Sequence, residues 1–175
     1  MPQSVPIDPD KWLAHAHELA EHQQGAGRPK STLLRRAVST AYYGLFHALN
    51  IAVASDLLPD GTSEQRRELV RTFGHQELKA CCAWIAGRQT TAPQSVKLLV
   101  DQLRTSPLAA ISDAFCDLQE ARHRADYDHA AAISKPTAVA FVEDADRAMR
   151  DLANVAPNDR QAFAVLVAMR SRQTR

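Results

Sequence analysis

The sequence has few cysteines, and their positions exclude the structures that cysteine usually builds. Cys81 and Cys82 are adjacent and Cys116 is distant, which is too few for a disulfide scaffold and the wrong spacing for a zinc knuckle. No apolar run approaches the ~20 residues of a membrane-spanning helix, and the first residues do not resemble a signal peptide. We therefore expect a soluble protein in a reducing cytoplasm, with no bound metal.

The sequence also lacks an excess of charge of either sign. It has 21 Lys and Arg against 20 Asp and Glu, a net charge of +1. This balance argues against a protein that coats nucleic acid, although a local arginine cluster can still guide one RNA strand into a groove. The length of 175 residues and the hydrophobic content of 45% fit one domain with a core. We predict a flexible N-terminus at 1–7, a single domain at 8–169 and a basic flexible tail at 170–175.

Apolar residues recur at helical spacing through most of the chain, and capping residues and prolines divide it into segments. The predicted helices begin near residues 8, 31, 62, 75, 95, 106, 134 and 158. The helix after Ser134 repeats apolar residues in a pattern that suits antiparallel packing against the helix before it. The sequence therefore predicts an all-α antiparallel helical bundle, with four to five core helices and short additional ones.

The helix that follows Ser106 carries an apolar stripe that leads into charged residues. The apolar positions are Leu108, Ile111, Phe115 and Leu118. The same spacing then reaches Arg122, Ala125 and His129. Because seven residues make about two turns, Arg122 and His129 share one face, about 10 Å apart along the axis. The apolar pattern predicts that this face is buried, yet it carries an arginine and a histidine. Such a conflict between the predicted burial and the residue type is typical of functional sites.

The residues around this stripe resemble a known family. Arg122, the polar His123 and His129 reproduce the arginine, polar residue, short gap and histidine of HEPN domains, the "higher eukaryotes and prokaryotes nucleotide-binding" helical bundles. Residues 35–48, which read RRAVSTAYYGLFHA, are similar to the long early helix of small prokaryotic HEPN proteins. The resemblance covers about residues 8–154 and implies a HEPN-like bundle.

The resemblance also implies a function, an RNA endonuclease of toxin–antitoxin type that needs neither metal nor cofactor. His129 then acts as acid or base, Arg122 stabilises charge on the phosphate, and His123 orients the pair or the substrate. Further residues expected to contact substrate or nucleotide are Ser39, Tyr43, His47, Arg124, Asp126 and Tyr127. In HEPN ribonucleases two protomers join their motifs in a homodimer, and a minimal nucleotidyltransferase often serves as the antitoxin partner.

Other interpretations of the same residues remain open. Arg124 with His129 is a second register of the motif, although five residues on a helix place the two side chains about 140° apart. Arg122 can instead form an ion pair with Asp126, and His129 can interact with the helix dipole. The aromatic segment of the second helix, including Tyr43, can be ordinary packing. The alternative functions are a non-catalytic nucleotide-binding or nucleotidyltransferase-docking module and a helical adaptor.

Overall fold

The computed structural model describes residues 7–22, 31–89, 91–128 and 130–173, and within these ranges the chain is an all-α helical bundle. It is 80% helical and contains no strand in the described parts, which confirms the predicted fold class. The helices are α1 (Pro9–Glu21), α2 (Ser31–Leu57), α3 (Ser63–Val70), α4 (His75–Ile85), α5 (Lys97–Arg104), α6 (Leu108–Tyr127), α7 (Lys135–Ala153) and α8 (Pro157–Gln173). None of these described helices combines the length and apolar character that crossing a membrane requires.

Capping side chains begin several helices at the positions that the sequence predicts. Asp8 accepts a hydrogen bond from the backbone N–H of the second residue after it, at 3.1 Å. Thr62 and Gln65 form a capping box at the start of α3. Ser106 accepts from the first N–H of α6 at 3.2 Å, and Ser134 accepts from an N–H in the first turn of α7 at 3.2 Å. These oxygens satisfy donors that have no partner within the helix.

The last helix is longer than the sequence predicts. We expected it to end near Met169 and to be followed by a basic tail, but α8 continues to Gln173. Arginine and glutamine are good helix formers, so nothing local ends the helix at residue 169. In addition, the Arg170 guanidinium lies 5.5 Å from the centre of the Trp84 ring, and this cation–π contact holds the last turn in place.

Contacts between residues divide the chain into two compact units. Unit 1 comprises Met1–His47 and Leu118–Asp146, and unit 2 comprises Ala48–Asp117 and Arg147–Arg175. Unit 1 contains an apolar cluster contributed by α2, α6 and α7, and this cluster supports the residues of the candidate site. Its buried members are Leu34, Val38, Ala121, Ala125 and Ala138. The predicted boundaries of a single domain at residues 8 and 169 stay a prediction.

Unit 2 is built around the packing of α4, α5 and α8. An arginine outside these helices fastens the turn after α4. The Arg88 Nε donates to Oδ1 of Asp113 at 2.7 Å, and its Nη2 lies 2.7 Å from Oδ1 of Asp117. Both carboxylates belong to α6. The turn is therefore attached to a helix by charge-assisted hydrogen bonds, which are stronger than neutral ones.

The three cysteines are free and buried, and we expect them to be unreactive in the folded protein. Burial raises the pKa of Cys81 to about 12, and it also raises the pKa of Cys82 well above its usual range. Because the thiolate is the reactive form, native protein at pH 8 should react with Ellman's reagent at least ~100-fold more slowly than protein unfolded in guanidinium chloride. Rapid labelling of one thiol per native chain would contradict this expectation.

The same burial predicts how stability depends on alkaline pH. The pKa of Cys81 is higher in the folded state than its ordinary value of 9.0, so folding favours the protonated thiol. This contribution to the free energy of unfolding is complete below about pH 9 and is lost as the pH rises toward about 12. Urea unfolding at increasing pH measures the loss, and Cys81→Ala protein should show a smaller one.

Candidate active site

The candidate site lies in unit 1, where α2 and α6 bring together most of the predicted functional residues. Arg122 is at its centre, with a side chain that is 24% exposed. Its Nη2 donates a hydrogen bond to the Tyr43 hydroxyl at 2.9 Å. Its Nε lies 2.8 Å from Oδ2 of Asp126. The two groups form an ion pair, but the geometry at Nε is not that of a hydrogen bond. The ion pair considered as a structural alternative is thus present, together with a tyrosine contact that helical spacing did not predict.

Three tyrosine rings surround the guanidinium of Arg122. Its Cζ lies 5.9 Å from the centre of the Tyr42 ring, 5.5 Å from that of Tyr43 and 5.6 Å from that of Tyr127. These are cation–π distances. Desolvation opposes the charge, but Tyr43 and Asp126 more than compensate, and the pKa of Arg122 lies above its usual value. The site therefore holds a permanent, oriented positive charge.

Asp126 connects this arginine to α2. The Ser39 hydroxyl donates a hydrogen bond to Oδ1 of Asp126 at 2.6 Å, while Oδ2 faces Arg122. One carboxylate therefore contacts a residue of α2 and a residue of α6. The predicted residues Ser39, Tyr43, Arg122 and Asp126 form one connected group, which restricts the rotamers of the arginine.

His47 belongs to an aromatic group behind Tyr43. Its ring lies 6.3 Å from that of Tyr43, with the two planes 26° apart, and 5.6 Å from that of Trp12 on α1. Trp12 also lies 5.6 Å from Tyr43. These ring contacts fit the packing interpretation of His47, and its contact with substrate or nucleotide stays a prediction. The contacts of Trp12 with Tyr43 and His47 join two different helices, so helical spacing within either helix did not predict them.

The outer part of the site is formed by the last two turns of α6. The rings of His123 and Tyr127 lie 5.0 Å apart, and both residues are exposed. Arg124 is exposed as well, and the contacts of Arg122 with described residues do not include it. His129, the predicted acid or base, lies outside the described residues.

Arg35 also belongs to this site, although no role for it was predicted from the sequence. Its guanidinium donates hydrogen bonds to the backbone carbonyl oxygens of Ala125 at 2.8 Å and Asp128 at 2.9 Å, and to that of Ala131. The Asp128 side chain in turn accepts from the backbone N–H groups of Ala130 and Ala131. Arg35 thus connects α2 to the C-terminal end of α6. The only signal in the sequence was its place in the pattern of the early helix.

We expect Arg35→Met to lower the free energy of unfolding by about 1–3 kcal/mol, because three carbonyl oxygens lose a charged donor. Arg36→Met is the matched control, since Arg36 is the next residue of α2 and is exposed. Urea unfolding followed by circular dichroism gives both values. Equal effects of the two substitutions would show that Arg35 does not hold the end of α6.

No protein-family model, curated protein or solved structure matches the chain.

Proposed function

We propose that the protein is a HEPN-like, toxin-type endoribonuclease that cleaves RNA without a metal ion. The observation that carries the proposal is the fixed guanidinium of Arg122, held by Tyr43 and Asp126 and placed seven residues before His129. An arginine with restricted rotamers can stabilise charge in a transition state without reorganising. Its Nη1 group makes neither of these two contacts and would donate to a phosphoryl oxygen.

The chemistry requires two proton transfers and one stabilised charge. A base takes the proton from the ribose 2′-hydroxyl, the 2′-oxygen attacks phosphorus, and the bond from phosphorus to the 5′-oxygen breaks. An acid gives that 5′-oxygen a proton, which leaves a 2′,3′-cyclic phosphate and a 5′-hydroxyl. Histidine performs either proton transfer near neutral pH. In the proposal His129 does so, Arg122 stabilises the phosphorane, and His123 orients them.

One chain supplies only one His129, whereas the reaction uses both an acid and a base. We therefore propose that two chains form a homodimer in which both copies of Arg122 and His129 face one phosphate. A ribonuclease of this kind in the cytoplasm needs an inhibitor, and the resemblance to HEPN toxins points to a nucleotidyltransferase as antitoxin. The balanced net charge of +1 fits a protein that engages a single RNA strand at a local site.

The test is cleavage of total RNA by purified protein in excess chelator. Wild-type protein should cut and leave 2′,3′-cyclic phosphate ends. His129→Ala protein should lose at least ~100-fold of this activity, in the range that general acid–base catalysis contributes. Folding and dimerisation of both proteins are checked by circular dichroism and analytical ultracentrifugation. Inert wild-type protein, or an equally active His129→Ala variant, would overturn the proposal.

A second candidate function is a non-catalytic module that binds a nucleotide or docks onto a nucleotidyltransferase. The ion pair between Arg122 and Asp126 favours a function without cleavage, because the carboxylate neutralises part of the charge that would otherwise stabilise the phosphorane. Calorimetric titration of wild-type protein with ATP and with AMP separates the two functions. Nucleotide binding by a protein that does not cut RNA supports the second.

A further inference from the structure

Tyr127 differs from the other two tyrosines of the chain in its exposure to solvent. Tyr42 is fully buried and Tyr43 is half-buried, but Tyr127, the last residue of α6, is 61% exposed. An aromatic side chain gains most of its stabilising free energy by burial. The exposed ring of Tyr127 thus contributes little to folding, and its surface is open to a ligand.

Contacts with its neighbours nevertheless hold this exposed ring in place. The Arg122 Cζ lies over the ring at 5.6 Å from its centre, and the His123 ring is tilted against it at 5.0 Å. A ring with restricted rotamers loses little conformational entropy when a flat ligand stacks on it. The same contact joins the ring to the guanidinium for which a phosphate contact is proposed.

We infer that the ring of Tyr127, supported at its edge by the tilted ring of His123, is a stacking platform for one base of single-stranded RNA. Arg122 and Arg124 place two cationic side chains near the ring, which favour a polyanion. The carboxylates on either side of the ring are already engaged, since Asp126 is paired with Arg122 and Asp128 accepts from backbone N–H groups. Aromatic rings beside cationic groups bind single strands because every base has a flat face. Bases within a duplex are already stacked and cannot reach such a ring. The platform depends on the proposed function only for the phosphate contact at Arg122. That phosphate would belong to the nucleotide next to the stacked base.

Binding of a probe that cannot be cleaved tests the platform. The probe is a fluorescent 2′-O-methyl-adenosine hexamer, and its affinity is measured by anisotropy with the wild-type protein and three variants. Tyr127→Leu keeps an apolar side chain without a flat ring and should weaken binding about 5- to 100-fold, as expected for one lost stacked base. Tyr127→Phe should bind within about twofold of wild type because it retains the ring. Leu98→Ala is the matched control, since Leu98 is an exposed apolar residue of unit 2.

A second probe shows whether the ring contacts a base. An abasic oligomer of the same length carries the same phosphates, so wild-type protein should bind it more weakly than the hexamer, while Tyr127→Leu protein should bind the two almost equally. This cycle measures the coupling between ring and base. Equal affinity of wild type and Tyr127→Leu for the hexamer would overturn the platform, as would equal affinity of wild type for the hexamer and its duplex.

The outcome is independent of catalysis because the probe has no free 2′-hydroxyl. If wild-type protein binds the hexamer in a manner that depends on Tyr127 but leaves total RNA uncut, the platform stands and the ribonuclease proposal fails. Stronger binding of the deoxyribose hexamer than of the 2′-O-methyl hexamer overturns the assignment to RNA.

Discussion

Arg122→Lys is expected to lower the rate of RNA cleavage by about 10²–10³-fold, as the loss of one preorganised donor does in other enzymes. Lysine keeps the positive charge but has a single ammonium group in place of the planar guanidinium. It therefore cannot contact Tyr43 and Asp126 through separate nitrogens, as the Nη2 and Nε of Arg122 do, and at the same time donate to the phosphate of the proposed reaction. Initial rates on a fluorogenic RNA in excess chelator measure the effect.

Arg124→Lys is the control for this prediction, because Arg124 lies two residues further along α6 and represents the second register of the motif. Its side chain is exposed, and among the described residues it is not a contact of Arg122. We expect a loss below about tenfold, consistent with a contact to the RNA backbone alone. If Arg124→Lys abolishes cleavage and Arg122→Lys does not, the site has been assigned to the wrong arginine.

Tyr42→Ala is expected to lower the free energy of unfolding by about 3–5 kcal/mol, the usual cost of removing a buried aromatic ring. Tyr42 is fully buried and its ring is stacked on that of Phe46, with centres 6.1 Å apart. The same ring lies 5.9 Å from the Cζ of Arg122. The substitution leaves a cavity next to the site, so it should reduce both stability and cleavage. Urea unfolding and initial rates measure the two effects.

Tyr127→Ala provides the matched control, since it removes the same side chain from an exposed position. Tyr127 also contacts the guanidinium of Arg122, at 5.6 Å, but an exposed cation–π contact is worth only about 0.5–1 kcal/mol. The loss of stability should therefore stay below about 1 kcal/mol. A similar loss in both variants would mean that burial does not distinguish the two tyrosines.

The starts of several helices followed from the sequence because capping is a local interaction. Thr62 and Gln65 lie three residues apart, and their hydrogen bonds at the start of α3 need no other part of the chain. The exception was the end of α8. In its last turn Arg170 contacts Trp84, which lies far from it in the sequence, and no local pattern contains that contact. A helix end that depends on tertiary packing is therefore harder to predict than one with a cap.

The central position of Arg122 also followed from the sequence. The apolar stripe of α6 predicts that the arginine lies partly on the packed side of the helix, and its side chain is 24% exposed. Its ion pair with Asp126 is a contact between adjacent turns, which helical spacing alone suggests. The HEPN assignment, the homodimer and the role of His129 stay predictions.

The sequence by itself determined the helical fold, the helix starts and the face of α6 that carries Arg122, because periodicity and capping act over a few residues. Only the tertiary structure decided which side chains of α2 meet that face. The hydrogen bonds of Tyr43 with Arg122, Ser39 with Asp126 and Arg35 with Ala125 join residues that are 79 to 90 positions apart. No local rule selects partners over such separations. They are set by the packing of α2 against α6, which fixes where each side chain of one helix meets the other.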